Sequence, residues 1–414
     1  MKKPAVPIIL SDFEKQEKEV AYNLGMPSLR IQFFRGPVWG KTNEQIKKQI
    51  VEGNNPITGK PVMPELVEKL TKPLTAEEQK TGEVKQDMGP KTYTGTPDEL
   101  QKLFLQKRYT DFLPVVLPTK EKVAEMLKAT SRQPTEMLGK MNPGSEAGEA
   151  WTYTVKDAAV SAVMAGAKPE YFPVILALGS TGMTAVNVSD NGFMAGAVIN
   201  GKIRDEIGLN YQEGAVGPYA QANTTIGRAW SLLSINGGNC GKVGTTYMGT
   251  IGNPMNLIGI IIAENEERSP FKPLSVRRGF KEGENIVTLF MGWGILSAKN
   301  WAADVWGPNM NYPEIIKEIY NQQDGSLFGT CVVLSPPIAN FVRDAGYDNV
   351  EKFTEWVTGL APGAKPNYGP GAINNGVRMV GGTFTVIVTG GSNNNYFSMG
   401  GMVPSQSIQI DKWR

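Results

Sequence analysis

Short uncharged runs rich in β-branched residues alternate with blocks of helical period along most of this chain, and that alternation confines it to an α/β fold with a mixed sheet and flanking helices. The runs Phe112–Leu117, Ala197–Ile199, Ile258–Ile262, Ile286–Phe290, Thr330–Leu334 and Thr383–Val388 predict strands. Helices are expected over 43–51, 64–70, 98–106, 119–129, 154–167, 171–178, 224–233, 313–320, 336–344 and 350–358. Thr42 is placed to cap the first of them and Asn223 the one that starts at Thr224. A distant duplication of a strand plus an Asn/Gly loop, around 186–201 and 383–401, would make two related α/β halves.

Shifts in composition divide the chain into three segments. Residues 1–97 form an N-terminal subdomain and an extended, proline-punctuated arm from 71 onward; residues 98–280 form a Gly-rich α/β domain; residues 281–414 form a C-terminal α/β domain. The middle of the chain is the most unusual. Of the 81 residues 179–259, 16 are glycine, against a background of ~7%. Glycine lets backbone approach a ligand closely, so a pocket at strand ends is expected there.

Composition removes many chemistries. The 414 residues contain no histidine, which excludes Ser-His-Asp and Cys-His catalysis, His-ligated haem and His-based zinc sites within this chain. Two cysteines, Cys240 and Cys331, furnish neither a zinc ribbon nor a disulfide framework. With 42 Lys plus Arg against 40 Asp plus Glu there is no basic field for nucleic acid. The start, MKKPAVPIILSDFEKQEK, has no small-residue cleavage site and predicts no signal peptide. No run is long and apolar enough to predict a membrane span, and the sparse cysteines fit a reducing cytoplasm.

Nucleotide motifs fail on spacing. Around Gly241-Lys242, Asn236 stands where a P-loop needs its first glycine and Val243 where it needs Ser or Thr. The pairs Gly292/Gly294 and Gly369/Gly371 lack the third glycine of a dinucleotide fingerprint, so no Rossmann-type NAD site is expected.

Four constellations remain. Glu264, Glu266 and Glu267 stand at the end of an uncharged run, 243–263, where α/β sites lie; such carboxylates act as acid or base, or bind a hard divalent cation. Asn223, Thr224 and Arg228 at a helix start would hold an anionic group. Asn393 and Asn394 come after a buried strand in an uncharged loop, which favours a neutral polar ligand; Asn200, Arg204 and Asn253 are further pocket candidates. Cys240, with Lys242 near in sequence, is a candidate nucleophile lacking a histidine base. Each has a structural alternative: a solvated turn, a capped core helix with Arg228 in an ion pair, an asparagine turn, a core thiol.

Several blocks are similar to a bacterial group related to UGSC-type (seleno)proteins, named for a selenocysteine/cysteine-Gly-Ser-Cys motif. They are VSAVMAGAKPEYFPVILAL (160–178), ANTTIGRAWSLL (222–233), AENEERSPFKPLSVRRGF (263–280) and CVVLSPPIANFVRDAGYDNVEKFTEWV (331–357), with LGMPSLRIQFFRGPVWGKTNEQIKKQI (24–50) resembling the second half of a thiol-bearing subdomain. No cysteine precedes Cys240, so the motif itself is absent. The resemblance implies either that the thiol half resides on a separate small partner subunit or that this branch does without thiol chemistry. Gln221 stands where related chains carry a histidine. Two functions are therefore expected: an oligomeric enzyme subunit acting on a small organic molecule, as a lyase or reductase component, or a non-catalytic scaffold of an assembly.

Overall fold

Side chains on successive strand residues point to opposite faces, and in this chain the two faces become the inside and the outside of one curved sheet. The computed structural model describes residues 4–38, 40–82, 92–141, 151–186, 194–243, 246–247, 259–297, 310–322, 329–359 and 383–414.

The N-terminal unit pairs strands β1 (Ile8–Leu10) and β2 (Gln32–Phe34) in parallel. Around them lie helices α1 (Glu14–Asn23), α2 (Asn43–Ile46), which runs on into a wide turn Lys47–Val51, and α3 (Val62–Thr71). Thr42 caps α2 as expected: its side chain accepts from Gln45 N, and Gln45 returns a bond to Thr42 N. Arg30 donates to the carbonyls of Lys69, Lys72 and Pro73 and forks onto Glu78, all at 2.7 Å, so it clamps the base of the exposed arm.

Next come α4 (Pro97–Gln106) and α5 (Lys120–Leu127), an antiparallel ribbon of β3 (Met137–Met141) and β4 (Trp151–Thr154), then α6 (Val155–Ala165) and α7 (Phe172–Gly179). The expected strand Phe112–Leu117 does not form. Pro114 has no N–H to donate to a ladder, and the Gln101 side chain serves Val115 instead, donating to its carbonyl (2.6 Å) and accepting from its N–H (3.3 Å).

The remainder builds the main sheet. Its elements are β5 (Met194–Asn200), α8 (Ile203–Glu206), α9 (Gln221–Gly238), β6 (Ile260–Ala263), α10 (Leu274–Arg277), β7 (Ile286–Ser297), α11 (Tyr312–Gln322), β8 (Gly329–Leu334), α12 (Pro336–Asp344), α13 (Val350–Thr358), β9 (Thr383–Val388) and β10 (Tyr396–Gln409). The strand order is β6-β5-β7-β10-β8-β9, which crosses the 280/281 division expected from composition. The pairs β5/β6 and β8/β9 are parallel; β5/β7, β7/β10 and β10/β8 are antiparallel.

The sheet curls until its edges touch. Asn265 N, just past β6, donates to Val388 O of β9 at 2.7 Å, and Thr389 Oγ1 donates to Ala263 O at 2.7 Å. Val198, Ile262, Phe290, Val333, Ile387 and Met399, one from each strand, form a single buried cluster inside. Outside, α5, α6, α7 and α9 pack on β5, β6 and β7, while α11, α12 and α13 pack on β8, β9 and β10.

Two halves are related by an internal pseudo-twofold. Each has a parallel pair flanked by an antiparallel return strand, and β7 and β10 join them. Ile199 faces Ala263 in one half and Leu334 faces Val388 in the other. Glu264 N then donates to Ile199 O (3.1 Å) as Thr389 N donates to Leu334 O (3.0 Å). Asn200 therefore corresponds to Ser335, and Glu264 to Thr389. The related halves are present, but β9 matches β6, not the segment 186–201 with which the sequence pairs it. The sequence comparison lined up two Gly/Asn loops, whereas the repeat lies in the order and register of the strands.

Candidate functional site

The C-terminal ends of β5 and β6 bring together Asn200, Arg204, Glu264, Glu266 and Glu267. Glu264 is 1% exposed. Its Oε2 accepts from Asn200 Nδ2 and from Leu274 N, both at 2.7 Å, and its Oε1 lies 3.6 Å from Arg277 Nη2. Burial pushes this carboxyl above the ordinary carboxylate range, against the pull of Arg277 and the two donors. Glu266 Oε1 accepts from Gly201 N (2.8 Å) and Asn200 Nδ2 (2.9 Å) and sits 3.4 Å from Arg204 Nε. Gly201 takes φ +92°, and a Cβ there would collide with the Glu284 carbonyl oxygen.

Arg204 closes the network. It donates to Glu264 O, forks onto Glu267 (2.7 and 3.2 Å) and lies 4.7 Å over the Tyr211 ring. Burial raises the Glu267 carboxyl, but the hydrogen bond and charge of Arg204 outweigh it and hold Glu267 below its usual value. All three expected carboxylates are thus already engaged by this chain's own donors. Asn200 Nδ2, Gly201 N and Arg204 Nε converge on one oxygen of Glu266, so the cluster does not fit a hard cation. Among the described residues no group of three or more acidic or thiol side chains is placed to hold a metal ion.

The corresponding strand ends of the other half are open. A cleft of about 280 Å³ is lined by Val333 and Ser335 from the end of β8, Thr389 to Asn393 after β9, Asn395 to Phe397 at the start of β10, and Glu213 to Val216 from the α8–α9 loop. None of the three glutamates lines it. Asn265, the residue after Glu264, reaches the cleft wall and donates from Nδ2 to Gly390 O (3.0 Å). At the rim Glu213 accepts from Ser392 N (3.2 Å), and Arg268 Nη1 donates to Ser392 Oγ (3.2 Å). Backbone N–H groups and the Arg268 charge keep the Glu213 carboxyl below its usual range. One negative and one positive group therefore share the rim.

The other expected residues stand elsewhere. Asn223 is not a cap: α9 begins at Gln221, and Asn223 spends its amide on Asn210 N (2.8 Å), Asn210 O (3.1 Å) and Ile261 O (3.3 Å). Its side chain ties the α8–α9 loop to β6, which leaves no open anion site there; Thr224 is next to it, half-buried. Arg228 pairs with Asp111 (2.9 and 3.0 Å) and donates to Pro114 O (2.8 Å). Cys240 is 1% exposed, and burial pushes its thiol far up, away from a reactive thiolate. Lys242 faces the Trp151 ring at 5.8 Å. Asn393 lines the cleft, while Asn394 Nδ2 points to Tyr312 OH (3.2 Å). Asn253 lies outside the described residues.

Sequence reasoning missed Ser335, Thr389, Tyr396 and Glu213. The one signal for Ser335 was the Pro336-Pro337 pair behind it, two residues without an N–H at a strand end. No protein-family model matches the chain, and no curated protein matches it. Among the described residues no helix is long and apolar enough to cross a membrane.

Proposed function

We propose that this chain is a subunit of an enzyme acting on a small, uncharged organic molecule, and that the cleft between β8, β9 and β10 is where that molecule binds. The observation that carries the reading is the asymmetry between the halves: the strand ends of one are filled by the chain's own carboxylates, and those of the other open onto the cleft. The apolar walls from Val216, Val333, Tyr396 and Phe397, with polar groups at one end, are the usual composition of a small-molecule site. The compensated charges of Glu213 and Arg268 favour a neutral guest. The likeness to UGSC-type proteins supports a lyase or reductase component, with any reactive thiol supplied by a separate small subunit. In this reading the glutamates brace the filled strand ends of the first half.

A scaffold role is the second reading, favoured by one observation: Arg204, Arg228 and the three glutamates are all committed to internal partners. Retention of small molecules separates the two. The purified chain is incubated with a cell-extract metabolite pool, passed through size exclusion and analysed by mass spectrometry, beside Val216→Trp, which blocks the cleft. An uncharged organic molecule retained by the native chain and lost in the variant is expected. No retention, or equal retention by both, would leave the scaffold.

A further inference from the structure

The pseudo-twofold carries the proposed site further, because one half shows what a filled strand end looks like. Counting out from the paired residues, Gly201 corresponds to Pro336, Ile203 to Ile338, Arg204 to Ala339 and Glu266 to Gly391. Ile203 and Ile338 are both buried, at 1% and 0% exposure, as the correspondence requires. In the first half the Glu266 carboxylate is held by Asn200 Nδ2, Gly201 N and Arg204. In the second, Gly391 has no side chain, and the Glu213 side chain lies over it instead, so close that a Cβ of residue 391 would collide with its Oε1; both residues line the cleft.

The donors change in step. Pro336 has no N–H where Gly201 has one, and Ala339 has no charge where Arg204 has one. Pro336 and Pro337 also remove two of the free N–H groups with which the start of α12 would otherwise attract an anion. One donor remains. Ser335 is 6% exposed, lines the cleft and accepts from Asn395 N at 3.0 Å. It makes no cap bond to α12, and its hydroxyl proton has no acceptor among the described residues. A buried donor left unpaired costs free energy that a ligand acceptor would recover.

We infer that Ser335 is the polar anchor of the cleft and that its ligand is an uncharged molecule with one acceptor oxygen, a carbonyl or amide, on an apolar body. The Ser335 hydroxyl donates to that oxygen, and the apolar body lies against Val216, Val333, Tyr396 and Phe397. A carboxylate is rejected, since the Glu213 carboxylate already stands in the cleft and repels it. This inference rests on the reading that the cleft binds the substrate.

The test is an NMR titration of the full chain with benzamide, benzoate and toluene, repeated on Ser335→Ala, Ser335→Thr and Val216→Trp. Benzamide is expected to bind the native chain at least tenfold tighter than benzoate. Ser335→Ala should weaken benzamide about three- to tenfold, the usual worth of one neutral hydrogen bond, and leave toluene unchanged. Ser335→Thr, which keeps a hydroxyl, should restore most of the loss. Equal weakening of benzamide and toluene, an unchanged benzamide affinity in Ser335→Ala, or benzoate binding as tightly as benzamide would overturn the anchor while leaving the cleft as a site. Absence of binding by all three probes, or binding that Val216→Trp does not reduce, would overturn the site itself.

Discussion

Asn200 and Ser335 occupy the same place in the two halves of the curled sheet, one residue beyond Ile199 and Leu334, yet they are used in opposite ways. Asn200 gives its amide hydrogens to two carboxylates, Glu264 and Glu266, at 2.7 and 2.9 Å. Ser335 lines the cleft, and its hydroxyl donates to no acceptor among the described residues. A single fold thus carries one strand end closed by its own acids and one left open.

The closed end should behave as a structural brace. Asn200→Ala removes both hydrogen bonds and leaves the buried Glu264 and the part-buried Glu266 each short of a donor. A loss of about 3 kcal/mol in urea unfolding is expected. A loss under about 0.5 kcal/mol would mean that the network contributes little.

Stability should also report the buried acid through pH. The Glu264 carboxyl lies above its unfolded value of ~4.3, so the fold favours its neutral form. Its contribution is full below the unfolded value and is lost as pH rises through the folded one. Glu65 and Glu267 are shifted the other way and lose stability as pH falls. Comparison with Glu264→Gln isolates the first effect: the native chain should gain on the variant between about pH 7 and about pH 4.5, measured by urea midpoints. A relative loss over that window would contradict the direction.

Arg228 is expected to matter for folding and not for binding. Its pair with Asp111 is largely buried, so Arg228→Ala should cost about 2–4 kcal/mol while the benzamide affinity of the folded variant stays as in the native chain. A lost affinity with stability intact would restore the anion-binding role that its place on α9 suggests from sequence.

Both thiols should be silent in the folded chain. Cys240 and Cys331 are free and buried, and burial pushes each thiol well up. Ellman's reagent should find almost no fast-reacting thiol natively and two after denaturation. One fast thiol, traced to Cys240 by peptide mapping, would reopen it as a nucleophile.

Much of this was written locally in the chain. The helix over 350–358 and the strand over 383–388 form with the bounds that their period and flanking residues predict, and Thr42 caps where its hydroxyl can reach Gln45 N. The strand-end acids were legible too, since the uncharged run that ends in β6 must carry the first charged residues after it to a sheet edge. Their saturation was not, because Asn200 and Arg204 lie some 60 residues away in sequence and only the parallel pairing of β5 with β6 brings them in. Strand β10 was missed for the converse reason: it is rich in Gly, Ser and Met and carries Pro404, yet β7 and β8 pair on both its sides and impose the extended form. The cleft depends on a correspondence between segments more than a hundred residues apart, which no local pattern encodes.

The central claim is that the cleft at the strand ends of the second half, and not the filled end of the first, receives the ligand. Backbone amide shifts during a benzamide titration test it directly. Perturbations centred on Ser335, Ser392 and Asn395, with Gly201 and Glu264 unmoved, are predicted. Shifts centred on Gly201 and Glu264, with the residues after β9 silent, would contradict it.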